Sequence, residues 1–152
     1  MCDFELLVKY NLTLSQYLTK ISIYNIQYIQ YRDKINSLNI QKNNILFLKQ
    51  HTNIPIIIND NLDLLKYSDG LHIGQEDLIK LLEKFHISNK DLLFKLLKKQ
   101  YPSKIFGLST HNEFEILEAN NLDINYIGLG AYRNTTTKNI SNILGDKISY
   151  LA

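Results

Sequence analysis

Residues 54–78 read IPIIINDNLDLLKYSDGLHIGQEDL. Two short apolar runs stand in this stretch, and each closes on a polar cluster. Residues 54–58 end at Asn59-Asp60, and Leu71-His72-Ile73 ends at Gly74-Gln75-Glu76-Asp77. Four or five β-branched residues are too few for a helix and suit a strand buried on both faces. Between the runs, residues 62–67 read as a short helix that Ser68-Asp69-Gly70 breaks. Strand, helix and strand at this spacing form a βαβ unit, which predicts a parallel sheet. In α/β folds the chemistry gathers just past the C-terminal ends of such strands, where both polar clusters lie.

The same rhythm runs outward in both directions. Upstream, residues 26–32 (IQYIQYR) read as a strand and residues 38–51 as a helix. Before them, Thr13 or Ser15 caps a helix reaching Ile21, and residues 1–8 read as a ragged strand. Pro55 fits the start of the strand that follows. Downstream, a helix over 77–85 carries Glu76 and Asp77 at its positive end. Residues 89–100 form another helix, with Leu92, Leu93, Leu96 and Leu97 expected on one face. A strand over 104–108 runs into Ser109-Thr110-His111-Asn112, and Thr110 or Asn112 caps a helix over 113–120. A strand over 126–129, a polar loop over 133–138 and a helix over 140–151 complete the chain.

This gives about five strands, each followed by a helix, in a single expected domain over residues 1–152. The class is α/β and the rhythm is that of a (β/α)8 barrel. Such barrels usually need about 200 residues or more. The chain is therefore expected to be an incomplete barrel, lacking most of the first strand and the last two. Five strands do not close a barrel, so open edges are expected to need a homo-oligomer or a partner to cover them.

Composition narrows the function classes. The chain has 152 residues, is 45% hydrophobic and 21% charged, and carries a net charge of +2. It can bury a core, and it shows no basic stripe of the kind that binds nucleic acid. Lys95, Lys98 and Lys99 read as a solvated helix face. Cys2 is the only cysteine, which excludes a disulfide framework. No apolar run reaches the length of a membrane span and no leader is apparent, so a cytoplasmic protein without membrane partners is expected.

The strand ends supply the candidate chemistry. Gln30, Arg32 and Lys34 are spaced by two, which puts them on one side of a strand and its extension. Two readings fit: a face that meets an anion in a barrel mouth, or an amphipathic edge strand with its polar side in water. The other strand ends add Asn59, Asp60, Asp77, Ser109, Thr135, Thr137 and Lys138. Two carboxylates suit Mg²⁺ when phosphate oxygens complete its shell. Arg32, Lys34 and Lys138 suit a multiply charged phosphate, with Ser109 and the threonine hydroxyls finishing its hydrogen bonds. No covalent nucleophile is evident, so catalysis here would stabilise a departing anion. His72 reads as a core histidine, His51 and His86 as surface residues, and Tyr24, Tyr28 and Tyr31 as packing aromatics. Gly128 and Gly130 lack the third glycine of a dinucleotide fingerprint.

Five motifs resemble a known family. IQYRDK, INDNLDL, DGLHIGQEDL, IFGLSTHN and YIGLGAYRNTTTK, all between Ile26 and Lys138, are similar to successive motifs of the thiamine-phosphate synthases and their relatives the thiazole tautomerases. The resemblance implies a (β/α)8 barrel and a transferase of thiamine biosynthesis. Such an enzyme joins hydroxymethylpyrimidine diphosphate to hydroxyethylthiazole phosphate and releases pyrophosphate. It implies that Gln30, Arg32, Lys34 and Asn59 hold the pyrimidine diphosphate and that Asp60 and Asp77 ligate Mg²⁺. By the same resemblance, Ser109 and Lys138 contact the pyrophosphate, and Thr135 and Thr137 sit by the thiazole phosphate. The GQED motif favours the synthase branch, whereas His111 fits either. Asn61 departs from the family's arginine, and Arg133-Asn134 from its apolar-proline pair. The Gly-Gly strand at the phosphate-binding end has no counterpart here. Two alternatives follow: a ligand-binding relative without turnover, and a thiazole tautomerase.

Overall fold

A computed structural model describes residues 1–130. The elements in order are β1 (Cys2–Asp3), α1 (Phe4–Lys9), α2 (Leu14–Ile21), β2 (Ile29–Arg32), α3 (Leu38–His51) and β3 (Ile56–Asn59). A 3₁₀ helix (Leu62–Tyr67) then leads to β4 (Gly70–Ile73), α4 (Gln75–Phe85), α5 (Lys90–Gln100), β5 (Ile105–Thr110), α6 (Glu113–Ala119) and β6 (Tyr126–Leu129). The chain forms two compact units, divided between His72 and Ile73. Among the described residues no helix is long and apolar enough to cross a membrane.

In the first unit β1 to β4 pair in chain order, each parallel to the next. Parallel pairing needs a crossover between strands, and α3 and the 3₁₀ helix supply two of them. Ile56, Ile57 and Ile58 are fully buried, as are Ile45 and Leu48 of α3 and Leu65 of the 3₁₀ helix. Each such side chain contributes roughly 1.5–3 kcal/mol on leaving water. Asp69 ties this layer together. Its carboxylate accepts from the Ile56 amide at 2.9 Å and pairs with Lys49 at the end of α3.

In the second unit β5 and β6 are parallel, from Gly107↔Tyr126 to Thr110↔Leu129. Phe94 of α5 meets Phe106 of β5 edge to face at 6.5 Å, and both are fully buried. Gly107 is glycine for a visible reason: a Cβ there would lie 2.2 Å from Cζ of Tyr126, whose ring crosses from β6 over β5.

The α/β class and the parallel strand rhythm are as the sequence predicts, and the first strand spans two residues. Three local expectations are corrected. Residues 4–9 are helical, because Asp3 caps α1 by accepting from the Leu6 amide at 3.3 Å. Strand β5 runs two residues further, since β6 pairs with it through Thr110. On α5 the buried side chains are Leu93, Phe94 and Leu97, while Leu92 and Leu96 are 47% and 45% exposed. Packing of Phe94 on Phe106 turns the apolar stripe toward Phe94. Of the two residues offered as the cap of α6, the structure selects Asn112, which accepts from the Glu115 amide at 2.9 Å.

Candidate functional site

Side chains alternate across a strand, and residues opposite each other in register share a face. In the first unit Asp3 stands opposite Arg32, and Asn59 opposite His72. The pair Tyr31↔Ile58 places Arg32 and Asn59 one step further along the same ladder. Asp3, Arg32, Asn59 and His72 thus form one polar layer at the C-terminal ends of four strands, and Gln30 lies on the same face. The opposite face carries Ile29, Tyr31, Ile58 and Leu71, all buried. The edge-strand reading of β2 is therefore set aside, because β2 pairs on both sides.

Two hydrogen-bonded sets occupy this layer. Gln30 donates from Nε2 to Asn59 Oδ1 at 2.8 Å, and Asn59 donates from Nδ2 to the Asp60 carboxylate. Asp60 adopts a left-handed backbone, with φ of 63°. Aspartate tolerates that region better than most residues, at a cost of roughly 1–2 kcal/mol. The turn is held by the Asp60 amide, which donates to the His72 carbonyl at 2.8 Å. The second set is ionic. Arg32 donates from Nη1 to Asp3 at 2.6 Å and to Glu5 at 3.1 Å. Burial pulls the guanidinium pKa down, but the bonds to Glu5 and Asp3 outweigh it and leave the pKa above its ordinary value. Among the described residues Nε and Nη2 of Arg32 have no hydrogen-bond partner, and that edge has the geometry to donate to two oxygens of a carboxylate or phosphate.

Lys34 is placed differently from the expectation. Strand β2 ends at Arg32, and Asp33 bends the chain by accepting from the amides of Ile35 and Asn36 at 3.2 and 3.0 Å. The two-residue alternation stops there, so Lys34 does not continue the row of Gln30 and Arg32. It is exposed, two residues beyond the strand.

In the second unit Ser109 lies one residue before the end of β5, opposite Gly128. Its carbonyl accepts from Gln75 Nε2 at 2.6 Å, which ties the start of α4 to the end of β5. Asp77 is in the first turn of α4 and pairs with Lys80 at 2.8 Å. The buried hydroxyl of Thr110 has no hydrogen-bond partner among the described residues. His111 follows, its amide and Nδ1 both within reach of Glu115 Oε2, at 2.8 and 3.1 Å. Thr135, Thr137 and Lys138 lie outside the described residues, as do Arg133 and Asn134.

Among the described residues no cluster of three or more His, Cys, Asp or Glu side chains is set to hold a metal by itself. Asp60 and Asp77 are hard oxygen donors, the type Mg²⁺ takes when one or two carboxylates are joined by phosphate oxygens. Asp60 lies in the first unit and Asp77 in the second, and each by itself offers the oxygen donor that ion takes.

The two-residue spacing placed Gln30 and Arg32 on one face, where the structure also puts Asn59, but it did not show what orients Arg32. Asp3 and Glu5 hold Arg32 from 29 and 27 residues away. The signal available in the sequence was Asp3, an acidic residue able to cap a helix, in a stretch that reads as a strand.

A family model described as thiamine monophosphate synthase matches residues 82–148. The thiamine-phosphate synthase of Vibrio campbellii is 38% identical over 89 residues, covering 57% of this chain and 37% of the relative. That of Oceanobacillus iheyensis is 41% identical over 90 residues, covering 56% and 35%. The chain thus spans about a third of the length of the curated relatives it matches. A solved thiamine phosphate pyrophosphorylase from Pyrococcus furiosus superposes with a TM-score of 0.52 at 20% identity. It covers 70% of this chain and 48% of its own, and at that identity the likeness is one of fold.

Proposed function

We propose, from the premise that the chain belongs over its matched length to the thiamine-phosphate synthase superfamily, that it binds a pyrimidine diphosphate and transfers the pyrimidine to a thiazole phosphate. The observation that carries this reading is the polar layer of β1 to β4. There Gln30 and Asn59 form a hydrogen-bonded pair beside an arginine whose free edge suits phosphate.

The reaction breaks the bond between the pyrimidine methylene carbon and the diphosphate oxygen, and the electron pair leaves with pyrophosphate. The lone pair of the thiazole nitrogen then forms the new carbon–nitrogen bond. Gln30 and Asn59 orient the diphosphate substrate. Arg32 and Lys34 stabilise charge as it develops on the leaving group, which is where preorganised cations lower a barrier most. Ser109 and Lys138 serve the same anion, and Thr135 and Thr137 the thiazole phosphate. Asp60 and Asp77 would hold Mg²⁺, which when bound neutralises charge on the diphosphate oxygens.

The test is pyrophosphate release by the full chain supplied with both substrates and Mg²⁺. Release that Arg32→Ala and Asp77→Ala each cut at least about a hundredfold supports the reading, since loss of one preorganised charge contact costs that much. Diphosphate binding without release would identify a ligand-binding relative instead. Magnesium-independent isomerisation of a thiazole carboxylate phosphate would identify a tautomerase.

A further inference from the structure

Lys34 directly follows Asp33, where a hydrogen-bonded chain that starts behind the sheet ends. Tyr31 points to the helix-facing side of β2 and is 2% exposed. Its hydroxyl accepts from Asn44 Nδ2 of α3 at 2.9 Å and donates to Asp33 Oδ2 at 2.6 Å. The hydroxyl has one proton, so accepting from Asn44 directs that proton to Asp33. The same Asp33 carboxylate accepts from the Ile35 and Asn36 amides, and from Asn36 Nδ2 at 2.9 Å. Four bonds to Asp33 therefore fix residues 33–36, the segment that carries Lys34. The lysine itself is exposed and has no ion pair among the described residues.

A lysine offers a compact charge on a flexible stem, and its ordering on an anion costs entropy that a rigid backbone reduces. We propose that the Asn44–Tyr31–Asp33 chain is a clamp that positions Lys34, and that Tyr31 and Asp33 are positioning residues for the diphosphate. The proposal rests on the diphosphate reading of the site. It adds the device that gives one cation a fixed place beyond the strand end. Asp33 repels a diphosphate if its charge is unshared, and its four donors spread that charge away from Lys34.

Two measurements on the full chain test it. The first is tryptic cleavage after Lys34, taken as a ratio to cleavage after Lys98 in α5. General loss of stability raises both rates, whereas release of the clamp raises the ratio. Tyr31→Phe is expected to raise it about tenfold, the effect of one lost hydrogen bond to a charged group, and Asp33→Ala, which removes four bonds, at least as much. An unchanged ratio overturns the clamp. The second is a double-mutant cycle on binding of inorganic pyrophosphate with Mg²⁺. Tyr31→Phe is expected to weaken binding several-fold in the parent and not at all in a Lys34→Ala background. Equal losses in both backgrounds would mean that Tyr31 acts elsewhere, and would overturn the positioning role. A raised cleavage ratio in a parent that ignores pyrophosphate would retain the clamp and remove its proposed ligand.

Discussion

Gly107 and Tyr126 show how one missing side chain shapes the second unit. A methyl group at 107 would lie 2.2 Å from the Tyr126 ring, so Gly107→Ala must push the ring off β5. The expected cost is about 1–3 kcal/mol by urea unfolding, the range for overpacking, and Tyr126→Ala should largely cancel it. Thr110 poses the opposite case. Its buried hydroxyl has no partner among the described residues, and burying an unpaired hydroxyl costs roughly 1–3 kcal/mol. Thr110→Val is nearly the same shape and is expected to leave stability equal or raised. A clear loss on unfolding would show that the hydroxyl is bonded in solution. Cys2 reports on the first unit. Burial pushes its thiol from 9.0 up to about 12. The unfolded chain thus releases this proton first as pH rises, and stability falls between pH 9 and pH 12. A Cys2→Ala variant should show a shallower alkaline decline over that window.

Among elements, those built on short β-branched runs were legible from sequence. Ile56–Ile58 could be little else than a buried strand, and Asn59-Asp60 marked its end. Capping signals were legible too: Thr13 closes a capping box with Gln16 at the start of α2. Asn112→Ala, which removes the cap of α6, is expected to cost about 1 kcal/mol in chemical unfolding. What stayed hidden depends on partners distant in sequence. Residues 1–8 have strand composition, yet two of them pair with β2 and the rest follow Asp3 into a helix. The extent of β5 was set by β6, and the buried stripe of α5 by Phe106. Lys34 fell outside the expected row because a turn at Asp33 ends the alternation, and a two-residue period carries no information about where a strand stops.

At the scale of the whole molecule, each compact unit carries polar residues at its strand ends, Arg32 and Asn59 in the first and Ser109 in the second. The first unit alone already holds a worked-out arrangement: Gln30 on Asn59, Asn59 on Asp60, and Arg32 fixed by two carboxylates with one edge free. The residue types of this layer could be read from sequence, but its register could not, because register is a property of pairing between strands. The claim that this layer is a diphosphate site is tested most directly by calorimetric titration of inorganic pyrophosphate into the full chain, with and without Mg²⁺. The expected result is saturable binding that requires Mg²⁺ and weakens at least about tenfold in Arg32→Ala, as loss of a charge-assisted contact implies. Absence of binding by the folded chain, or binding indifferent to both Mg²⁺ and Arg32, would contradict it.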